Sequence, residues 1–369
     1  MAAHKKIVMR ILIDIGHPAH VHLFKNFAWL MQKKGHDVLF TTRDKEFEID
    51  LLTKYGFQYI SFGNKFKSSL GKLIGLLQFN LRMLVAAAGF RPDIFLSHGS
   101  IYAAQVSWLL RKPHISFEDT GNIEQVRLYR PFTRVILTSD VFPYSYGEKQ
   151  IRYKGHHELA YLHPNYFKPE TSSFNSSIIN IGSKYAVIRL VSWNATHDKG
   201  QQGIDEKVKY DLIRLLKKKG FQILISSEGD LPEDLLEYQI AFPPEKIHDV
   251  LYFARLFIGE GATMAMEAGV LGTPSIYNNS LKRSYCIDLE QYDLVHNFSD
   301  SEGLVDKVSQ LIDEELPQSY YLEKRNELIN NKIDVTAFMV WFVENYPSSF
   351  QIMKDDSGYQ NRFRSSFKR

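Results

Sequence analysis

Residues 7–35 read IVMRILIDIGHPAHVHLFKNFAWLMQKKG, and this stretch decides the predicted fold. An apolar, β-branched run ends at Gly16, and from Val21 onward apolar residues recur at the three- and four-residue spacing of a helix. Gly35 then closes that helix as a glycine C-cap would. The stretch therefore predicts a strand, a glycine turn and a helix, which is the opening unit of a parallel α/β sheet.

The same alternation repeats along the chain. Strand patterns at HDVLFTT, QYISF, DIFLS, HISFE and RVILTS alternate with helical patterns, and the order resumes after Ser183 with YAVIRLVS and FQILISS. We therefore predict an α/β protein with two Rossmann-like, doubly wound parallel sheets. The expected boundaries are 1–165 for the first domain, 180–334 for the second, 335–350 for a helix that crosses back to the first, and 354–369 for a mobile basic tail.

Composition narrows the class of protein. A chain of 369 residues exceeds what one core usually supports, which agrees with two domains. A net charge of +3 gives no reason to expect nucleic acid as a partner. Cys286 is the only cysteine, so an internal disulfide and a cysteine zinc site are excluded and a reducing compartment is expected. No signal peptide or apolar stretch of spanning length is found, so we predict a cytoplasmic protein.

The strongest local signal for binding is IGEGATMAMEAGVLGTPSIY, residues 258–277. A strand runs into a glycine turn and then a helix, whose free N–H groups suit a diphosphate. Glu267, one turn into that helix, is predicted to accept hydrogen bonds from a ribose diol. The alternative is a tight turn followed by a surface charge, because the glycine spacing only approaches the dinucleotide fingerprint. The predicted nucleotide-sugar residues here are Glu260, Gly261, Ala262, Thr263, Met264 and Glu267.

The first turn, DIGHPAHVHLFKN, is the second signal. Gly16 lies where open α/β sheets bind ligands, and we include it among the residues that bind the nucleotide-sugar. His20, at the expected start of the helix, is the candidate base that takes a proton from a sugar hydroxyl, with His17 beside it and Asp14 orienting it. Two alternatives stay open: the histidines cap and pack, or they bind a metal, although no carboxylate or cysteine spacing completes a recognisable site. We expect no metal.

Further polar clusters follow other strands. SHGSIYAAQ and HISFEDTGN place His98, Ser100 and Asp119 on the predicted acceptor side and Glu118 among the catalytic candidates. Their simpler interpretation is a helix N-cap at Ser100 and a turn former at Asp119. In the second half, RLVSWNATHDKGQQGID follows a strand, and its polar loop is predicted to bind phosphate or sugar through three residues: Ser192, Trp193 and Asn194. An exposed loop anchored by the tryptophan is the alternative.

A basic and apolar pattern surrounds LIGLLQFNLRMLVAAAGF, residues 73–90. Basic side chains around an apolar helix are typical of peripheral contact with a membrane surface. A buried helix with solvated ends is the alternative. The flanking basic residues are Lys65, Lys67, Lys72, Arg82 and Arg91.

With these motifs in view, the chain resembles the family known as domain of unknown function 354. The motifs that carry the resemblance are MRILIDIGHPAHVHLFKN, SHGSIYAAQ, FEDT, KGHHELAYLHP and EGATMAMEAGVLGTPSIY, across about 10–346. That family is similar to GT-B glycosyltransferases and to non-hydrolysing UDP-N-acetylglucosamine 2-epimerases. The resemblance implies that the second domain holds the nucleotide, that the glycine turn binds the diphosphate, and that Glu267 meets the ribose. His20 is similar to the first-turn histidine of one such GT-B enzyme, the lipid II-forming N-acetylglucosaminyltransferase, but GHPAH replaces that enzyme's glycine-rich loop.

The residues and the resemblance together predict a metal-independent GT-B glycosyltransferase without a cofactor. It is expected to bind a nucleotide-sugar donor, UDP-linked, in a cleft and to transfer the sugar to an envelope glycan or lipid acceptor. The epimerases' Arg-Pro-Glu first-turn motif is absent, which counts against epimerisation. Two rivals remain: an epimerase or hydrolase that acts on the same nucleotide-sugar, and a non-enzymatic protein that binds it.

Overall fold

The computed structural model describes residues 8–44, 46–64, 69–171, 179, 183–191, 203–314 and 316–364, without the side chains of 69–74. Within it, the chain forms two compact units. Unit 1 comprises the chain up to Tyr161 together with Ile333–Arg364, and unit 2 comprises Leu162–Lys332. The first unit is therefore built from two separate segments of sequence.

Each unit is organised around one parallel β-sheet. Unit 1 has seven strands in the order β3-β2-β1-β4-β5-β6-β7, and unit 2 has five in the order β12-β11-β10-β8-β9. The strands are β1 Arg10–Asp14, β2 Asp37–Asp44, β3 Tyr59–Asn64, β4 Ile94–His98, β5 His114–Glu118, β6 Val135–Ser139, β7 Gln150–Tyr153, β8 Tyr185–Leu190, β9 Gln222–Ser227, β10 Leu256–Gly259, β11 Ser275–Asn278 and β12 Val295–Phe298.

Helices connect these strands. They are α1 Pro18–Lys33, α2 Glu48–Lys54, α3 Ser69–Phe90, α4 Ile101–Leu109, α5 Ile123–Tyr129, α6 Leu159–Leu162, α7 Glu206–Lys218, α8 Ile247–Phe253, α9 Ala262–Leu271, α10 Ser284–Glu290, α11 Leu304–Asp313, α12 Gln318–Asn331, α13 Val335–Glu344 and α14 Ser348–Asp355. Short 3₁₀ helices cover Gly147–Lys149, Glu233–Tyr238, Pro244–Lys246 and Ser357–Phe363. The predicted doubly wound α/β pattern is thus present in both units.

The strand register of unit 1 aligns the carboxyl ends of its central strands. Asp14, the last residue of β1, pairs with Thr41 of β2 on one side and with Ser97 of β4 on the other. His98 in turn pairs with Phe117 of β5. Because the strands are parallel, the residues just beyond them gather at one edge, where open α/β sheets carry their sites.

Helix α1 begins earlier than its apolar pattern suggests. His17 is the N-cap residue, and its Nδ1 accepts the N–H of Ala19 at 3.2 Å. Pro18 takes the first helical position, where its fixed φ suits the helix and its missing N–H costs nothing. His20 therefore lies within the first turn instead of at the cap, and His17 takes the capping role that one interpretation of the sequence left open.

Helix α3 is amphipathic. It buries Phe79 and Met83 against the sheet, whereas Leu77, Leu81 and Val85 are 70%, 61% and 65% exposed. The three exposed residues lie four apart, so they form one apolar stripe. The alternative interpretation of a buried helix therefore does not describe α3, because one of its faces is exposed. Among the described residues, no helix is both long and apolar enough to cross a membrane.

The C-terminal segment is ordered further than expected. Helix α13 starts at an Asp334 N-cap and packs with α1. Trp341 of α13 stacks on Tyr359 with ring centroids 4.8 Å apart and lies 5.4 Å from Phe363. The prediction of a mobile tail from residue 354 is therefore wrong for 354–364, because aromatic packing fixes this stretch. Residues 365–369 lie outside the described part of the chain.

Candidate functional site

Asp14 is a buried structural anchor at the edge of the unit 1 sheet. Its two carboxylate oxygens accept hydrogen bonds from Thr41 Oγ1 at 2.7 Å, Arg43 Nη1 at 2.9 and 2.8 Å, and Ser100 Oγ at 2.6 Å. Arg43 also donates to the carbonyl of Ile15 at 2.7 Å. The prediction that Asp14 orients His20 is therefore wrong, since its oxygens bind these three neighbours instead.

Ser100 shares this structural role. Its hydroxyl donates to Asp14 and accepts the N–H of Ala103 at 3.1 Å, as the N-cap of α4. The simpler interpretation of Ser100 as a helix cap therefore describes the structure. Both hydrogen-bonding directions of its hydroxyl are used within the fold, so we remove it from the acceptor-side residues.

Glu118 likewise has a structural environment. Its Oε1 accepts from the N–H and hydroxyl of Thr120 and from the N–H of Gly121, and its Oε2 accepts from the Tyr129 hydroxyl at 2.6 Å. The side chain is 2% exposed. These four bonds hold the turn between β5 and α5, so Glu118 does not fit the predicted catalytic role.

Asp119 lies between two histidines. Its Oδ1 is 2.9 Å from Nε2 of His98, and its Oδ2 is 3.1 Å from Nδ1 of His157. The histidine side chains are each 8% exposed, and the Asp119 side chain is 26% exposed. The predicted acceptor-side pair, His98 and Asp119, is thus brought together, and a third residue that the site prediction did not include joins it.

Electrostatics favour charge in this cluster. Burial opposes the charged form of Asp119, but the attraction of His98 and His157 outweighs it and holds the pKa of Asp119 well below its usual value. Burial similarly opposes the charged form of His98, yet the attraction and hydrogen bond of Asp119 raise the pKa of His98. An ionised carboxylate therefore fixes the orientation of two imidazoles.

His20 contacts this cluster through its ring face. It stacks on His98 with centroids 4.4 Å apart and planes at 28°, and its Nδ1 accepts the N–H of Gly16 at 3.3 Å. Burial lowers the pKa of His20 well below its usual value, and repulsion from His98 and His17 adds to this shift. Because Nδ1 accepts a hydrogen bond, the neutral ring carries its proton on Nε2. In this state Nε2 donates a hydrogen bond, whereas the predicted base would accept a proton at this nitrogen.

His157 is the residue of this site that the prediction missed. The sequence motif KGHHELAYLHP was recognised as part of the family resemblance, but it lies in the stretch where the strand and helix pattern fails. One ligand atom from each of His98, Asp119 and His157 falls within 4.8 Å of the others, so the group has the donor set of a metal site. Sequence reasoning misses this combination because neither β7 nor the loop after it has a recognisable pattern.

In unit 2, helix α9 begins without a capping side chain. Gly261 is its N-cap residue, and the helix runs for ten residues from Ala262. Ala262, Thr263 and Met264 form a partly exposed first turn. Their N–H groups are those that a helix of this kind leaves free for an anion. This part of the predicted nucleotide site is therefore physically suited to a diphosphate.

Glu260 is buried and accepts hydrogen bonds from the residue after β8 and from a residue shortly before α7. Its Oε2 accepts the N–H of Val191 and its Oε1 accepts the N–H of Ile204, both at 2.9 Å, and its side chain is 0% exposed. Lys209 lies 3.5 Å from the same carboxylate. Glu260 therefore does not fit the role of a ligand-binding residue. Three other predicted residues, Ser192, Trp193 and Asn194, lie outside the described part of the chain.

Glu267 lies on α9 one turn after its start. It is 4% exposed, and its Oε1 is 3.1 Å from Nε2 of His248, which α8 supplies. His248 is itself 3% exposed and has the ring of Phe167 at its edge, with centroids 6.3 Å apart. Sequence reasoning misses His248, because a single histidine on a short helix has no diagnostic spacing.

Comparisons with known proteins agree with this architecture. A model of the family described as "Protein of unknown function (DUF354)" matches residues 9–346. A protein of Methanocaldococcus jannaschii named "Uncharacterized protein MJ0665" is 21% identical over 281 residues, which cover 73% of this chain and 82% of the relative.

Solved structures with the same fold include a UDP-bound protein, a sugar epimerase and a glycosyltransferase. MnaA of S. aureus, solved with UDP, is 11% identical with a TM-score of 0.67, covering 93% of this chain and 98% of its own. UDP-GlcNAc 2-epimerase of Neisseria meningitidis, bound to UDP-GlcNAc, is 14% identical with a TM-score of 0.62, covering 86% and 94%. Spinosyn rhamnosyltransferase SpnG, complexed with spinosyn aglycone, is 14% identical with a TM-score of 0.57, covering 92% and 100%. The predicted GT-B fold is confirmed.

Proposed function

Since the chain belongs to the DUF354 family and has the GT-B fold, we propose that it is an enzyme acting on a nucleotide-sugar, UDP-linked, and transferring the sugar to an acceptor. The observation that carries the proposal is the uncapped start of α9 after Gly261, with Glu267 one turn along the same helix. The solved structures of this fold that bind UDP or a UDP-sugar support it.

We assign the binding of the nucleotide-sugar donor to unit 2. The N–H groups of Ala262, Thr263 and Met264 give a diphosphate several hydrogen bonds, and the positive end of the helix dipole favours its charge. Charge builds up on the departing diphosphate during transfer, so preformed dipoles at this position stabilise the transition state more than the ground state. This part of the mechanism needs no metal at the diphosphate.

We assign the binding of the ribose diol to the carboxylate of Glu267. It is an acceptor, and the hydroxyls of a ribose are donors. Its bond to His248 fixes one of its oxygens before a ligand arrives, which reduces the entropy lost on binding. A nucleotide without the 2′-hydroxyl would therefore bind less tightly than the ribonucleotide.

We assign the binding of the acceptor's reacting hydroxyl to unit 1. The residues that would bind it are those of the histidine cluster: His20, His98, Asp119 and His157. The two imidazoles on Asp119 are held in fixed orientation, so the cluster presents preoriented polar groups to that hydroxyl. His20 contributes a donor at Nε2 because Gly16 occupies its Nδ1. We therefore replace the predicted role of His20 as base by hydrogen bonding to an oxygen of the substrate.

The acceptor is proposed to be a lipid-linked molecule at the cytoplasmic face of a membrane. The stripe of Leu77, Leu81 and Val85 on α3 lies beside α4, whose Trp108 and Leu109 are each 58% exposed. Exposed basic residues accompany them at Arg82, Arg91 and Arg111. Apolar side chains with a basic surround suit the boundary of an anionic bilayer. Lys65 and Lys67 lie outside the described residues.

A second candidate function is epimerisation of the UDP-sugar. It is favoured by one observation: the solved structures named as UDP-GlcNAc 2-epimerases give TM-scores of 0.60–0.63, whereas those named as glycosyltransferases give 0.54–0.59. The two functions differ in one requirement. An epimerase consumes UDP-sugar without an acceptor, whereas a transferase releases UDP only when an acceptor is present.

The donor assignment is tested by calorimetric titration of the full chain with UDP, GDP, dTDP and ADP. We expect UDP to bind the wild type and to bind Glu267→Ala at least about tenfold more weakly, a loss of about 1.4 kcal/mol. Glu290→Ala, an exposed glutamate of the same unit, is the matched control and should bind as wild type does. If none of the four nucleotides binds, the proposed function is wrong.

The reaction is tested by incubating the chain with UDP-GlcNAc, with and without a lipid extract, and measuring released UDP and the sugar configuration. UDP release that depends on the extract supports transfer. A changed sugar configuration without the extract supports epimerisation instead. Co-sedimentation with vesicles of phosphatidylglycerol checks the membrane contact: Leu81→Glu should lose binding, whereas an equal bound fraction for both proteins would refute it.

A further inference from the structure

We propose that His98, Asp119 and His157 of unit 1 form a binding site for one divalent transition-metal ion of the zinc type. The inference goes beyond the proposed function, which places no metal at the diphosphate, and it differs from the sequence-based expectation of no metal. It rests on the convergence of two imidazole nitrogens and one carboxylate, with one ligand atom of each within 4.8 Å of the others.

The separations of the ligand atoms fit an ion. Zinc binds imidazole nitrogen and carboxylate oxygen at roughly 2.0–2.2 Å, so ligand atoms in a tetrahedral site lie roughly 3.3 Å apart. The distances from Asp119 to the two imidazoles are 2.9 and 3.1 Å. These two contacts use different carboxylate oxygens, and one ligand atom from each residue lies within 4.8 Å of the others. Side-chain rotations would therefore bring the three ligands around one ion.

The scaffold holds the ligands rigidly. His98 ends β4, Asp119 directly follows β5, and His157 lies four residues after the end of β7. The ring of His157 lies parallel to that of Tyr153, at 19° with centroids 6.2 Å apart, and edge-on to Phe117 at 5.9 Å. Preorganised ligands reduce the cost of assembling a metal site.

The chemistry of the donors selects the class of ion. Two imidazoles and one carboxylate suit Zn²⁺, Fe²⁺, Co²⁺ or Mn²⁺, and they are poor ligands for Ca²⁺ or Mg²⁺, which prefer oxygen alone. Three protein ligands leave at least one coordination position for water or a substrate oxygen. The histidines are nearly buried and Asp119 is 26% exposed, so the open position lies on the side of Asp119.

The competing explanation is that the three residues form a hydrogen-bonded group in which Asp119 only orients the two imidazoles. Both explanations give the same contacts in the absence of an ion, but they differ in metal affinity. A hydrogen-bonded group without a site takes up metal no better than single histidines elsewhere in the chain do. A coordination shell takes up one ion per chain and loses it when a ligand is removed.

The test uses the full chain after removal of metals with a chelator. Co²⁺ is titrated and followed by its visible absorption, and Zn²⁺ is titrated by calorimetry. We expect one ion per chain for wild type, with His157→Ala and Asp119→Asn binding at least about 100-fold more weakly. His36→Gln changes a buried histidine of unit 1 that pairs with Glu344, outside the cluster, and should bind as wild type does.

A second measurement separates loss of the site from loss of the fold. Zn²⁺ should raise the unfolding temperature of wild type and His36→Gln and leave that of Asp119→Asn unchanged, because binding to the folded state stabilises it. Circular dichroism of Asp119→Asn must match wild type, since asparagine keeps the shape of aspartate. Equal Co²⁺ binding by wild type and His157→Ala, or no uptake of one ion per chain, would overturn the proposal. Neither result depends on a nucleotide-sugar.

Discussion

The imidazole of His20 stacks on that of His98 with ring centroids 4.4 Å apart, while its Nδ1 accepts the N–H of Gly16. The stacked face and the occupied Nδ1 leave only the Nε2 edge of His20 available to a ligand. This geometry makes two roles for His20 distinguishable, because a base must release Nε2 from its proton and a donor must keep it.

His20→Gln and His20→Ala test this distinction. Glutamine retains an N–H donor at about the reach of Nε2, so we expect it to retain far more activity than alanine, whose kcat should fall about 100-fold, as loss of one preorganised donor does. The measurement is steady-state turnover of the UDP-sugar at saturating acceptor. Equal losses in the two variants would point to a base, since neither side chain accepts a proton.

Replacing His248 should change the discrimination between nucleotides. With His248→Ala, the carboxylate of Glu267 loses a buried partner and its fixed orientation. We expect UDP to bind about tenfold more weakly and the preference for UDP over 2′-deoxy-UDP to shrink. Competition calorimetry with both nucleotides measures this preference. Should His248→Ala lower both affinities equally, Glu267 would not be the group that meets the 2′-hydroxyl.

The Asp14–Arg43 pair should dominate local stability at the sheet edge. Its side chains are 0% and 5% exposed, and Asp14→Asn leaves the guanidinium without its counterion. Breaking a buried pair by removing one partner costs about 3–5 kcal/mol. Urea denaturation measures this loss. As a control, Asp93→Asn removes a carboxylate from an exposed pair with Lys112 and should cost less than about 1 kcal/mol. Similar costs for the two would contradict the structural role of Asp14.

Two glycines of the α9 turn should behave differently. A methyl group on Gly259 would lie 2.6 Å from the Phe257 ring, so Gly259→Ala should destabilise unit 2 by about 1–3 kcal/mol. On Gly261, the nearest atom would be Val191 Cγ1 at 3.5 Å, and the cost should stay below about 1 kcal/mol. Gly261→Ala should instead weaken UDP binding. Thermal unfolding and UDP titration of both variants check this contrast. A larger stability loss for Gly261→Ala, with weaker UDP binding only for Gly259→Ala, would refute it.

His114 should make unit 1 acid-sensitive. Burial lowers its pKa to about 3, and its ring nitrogens lie 2.9 Å from Ser97 Oγ and Thr133 Oγ1. The unfolded state takes up a proton near the ordinary pKa of about 6.5, so stability is lost as pH falls below it, by about 2 kcal/mol at pH 5. His114→Gln cannot titrate, so its stability should fall less between pH 7 and pH 5. Equal losses in urea denaturation would contradict this.

The fold was predictable because its signal is local. The run of apolar residues before Gly16, and the helical spacing after Val21, each lie within a few residues of sequence. Strand β7 was missed because QIRY is short and lies in a stretch rich in polar residues, and His157 was missed with it. The structure and the family match confirm the two α/β halves and the family resemblance.

The carboxylates show where sequence reasoning reaches its limit. Asp14 and Glu118 end strands and Glu260 directly follows one, positions that catalytic residues often take, yet the structure shows that their oxygens are used by the fold. Arg43 is 29 residues from Asp14, and Ile204 is 56 residues from Glu260. A sequence does not display such partners. Asp119 differs from them by facing two histidines, which only the folded chain reveals.

The two-segment composition of unit 1 affects how the chain is made. Thr336 of α13 donates to the carbonyl of Ala160, and Phe338 packs on Tyr153 at 5.9 Å, so the last segment completes a core begun by the first. During synthesis, the residues of unit 2 leave the ribosome before that segment does. Unit 2 can therefore complete its folding first, although unit 1 begins the sequence, and a chain truncated before Ile333 would have a first unit with an open core.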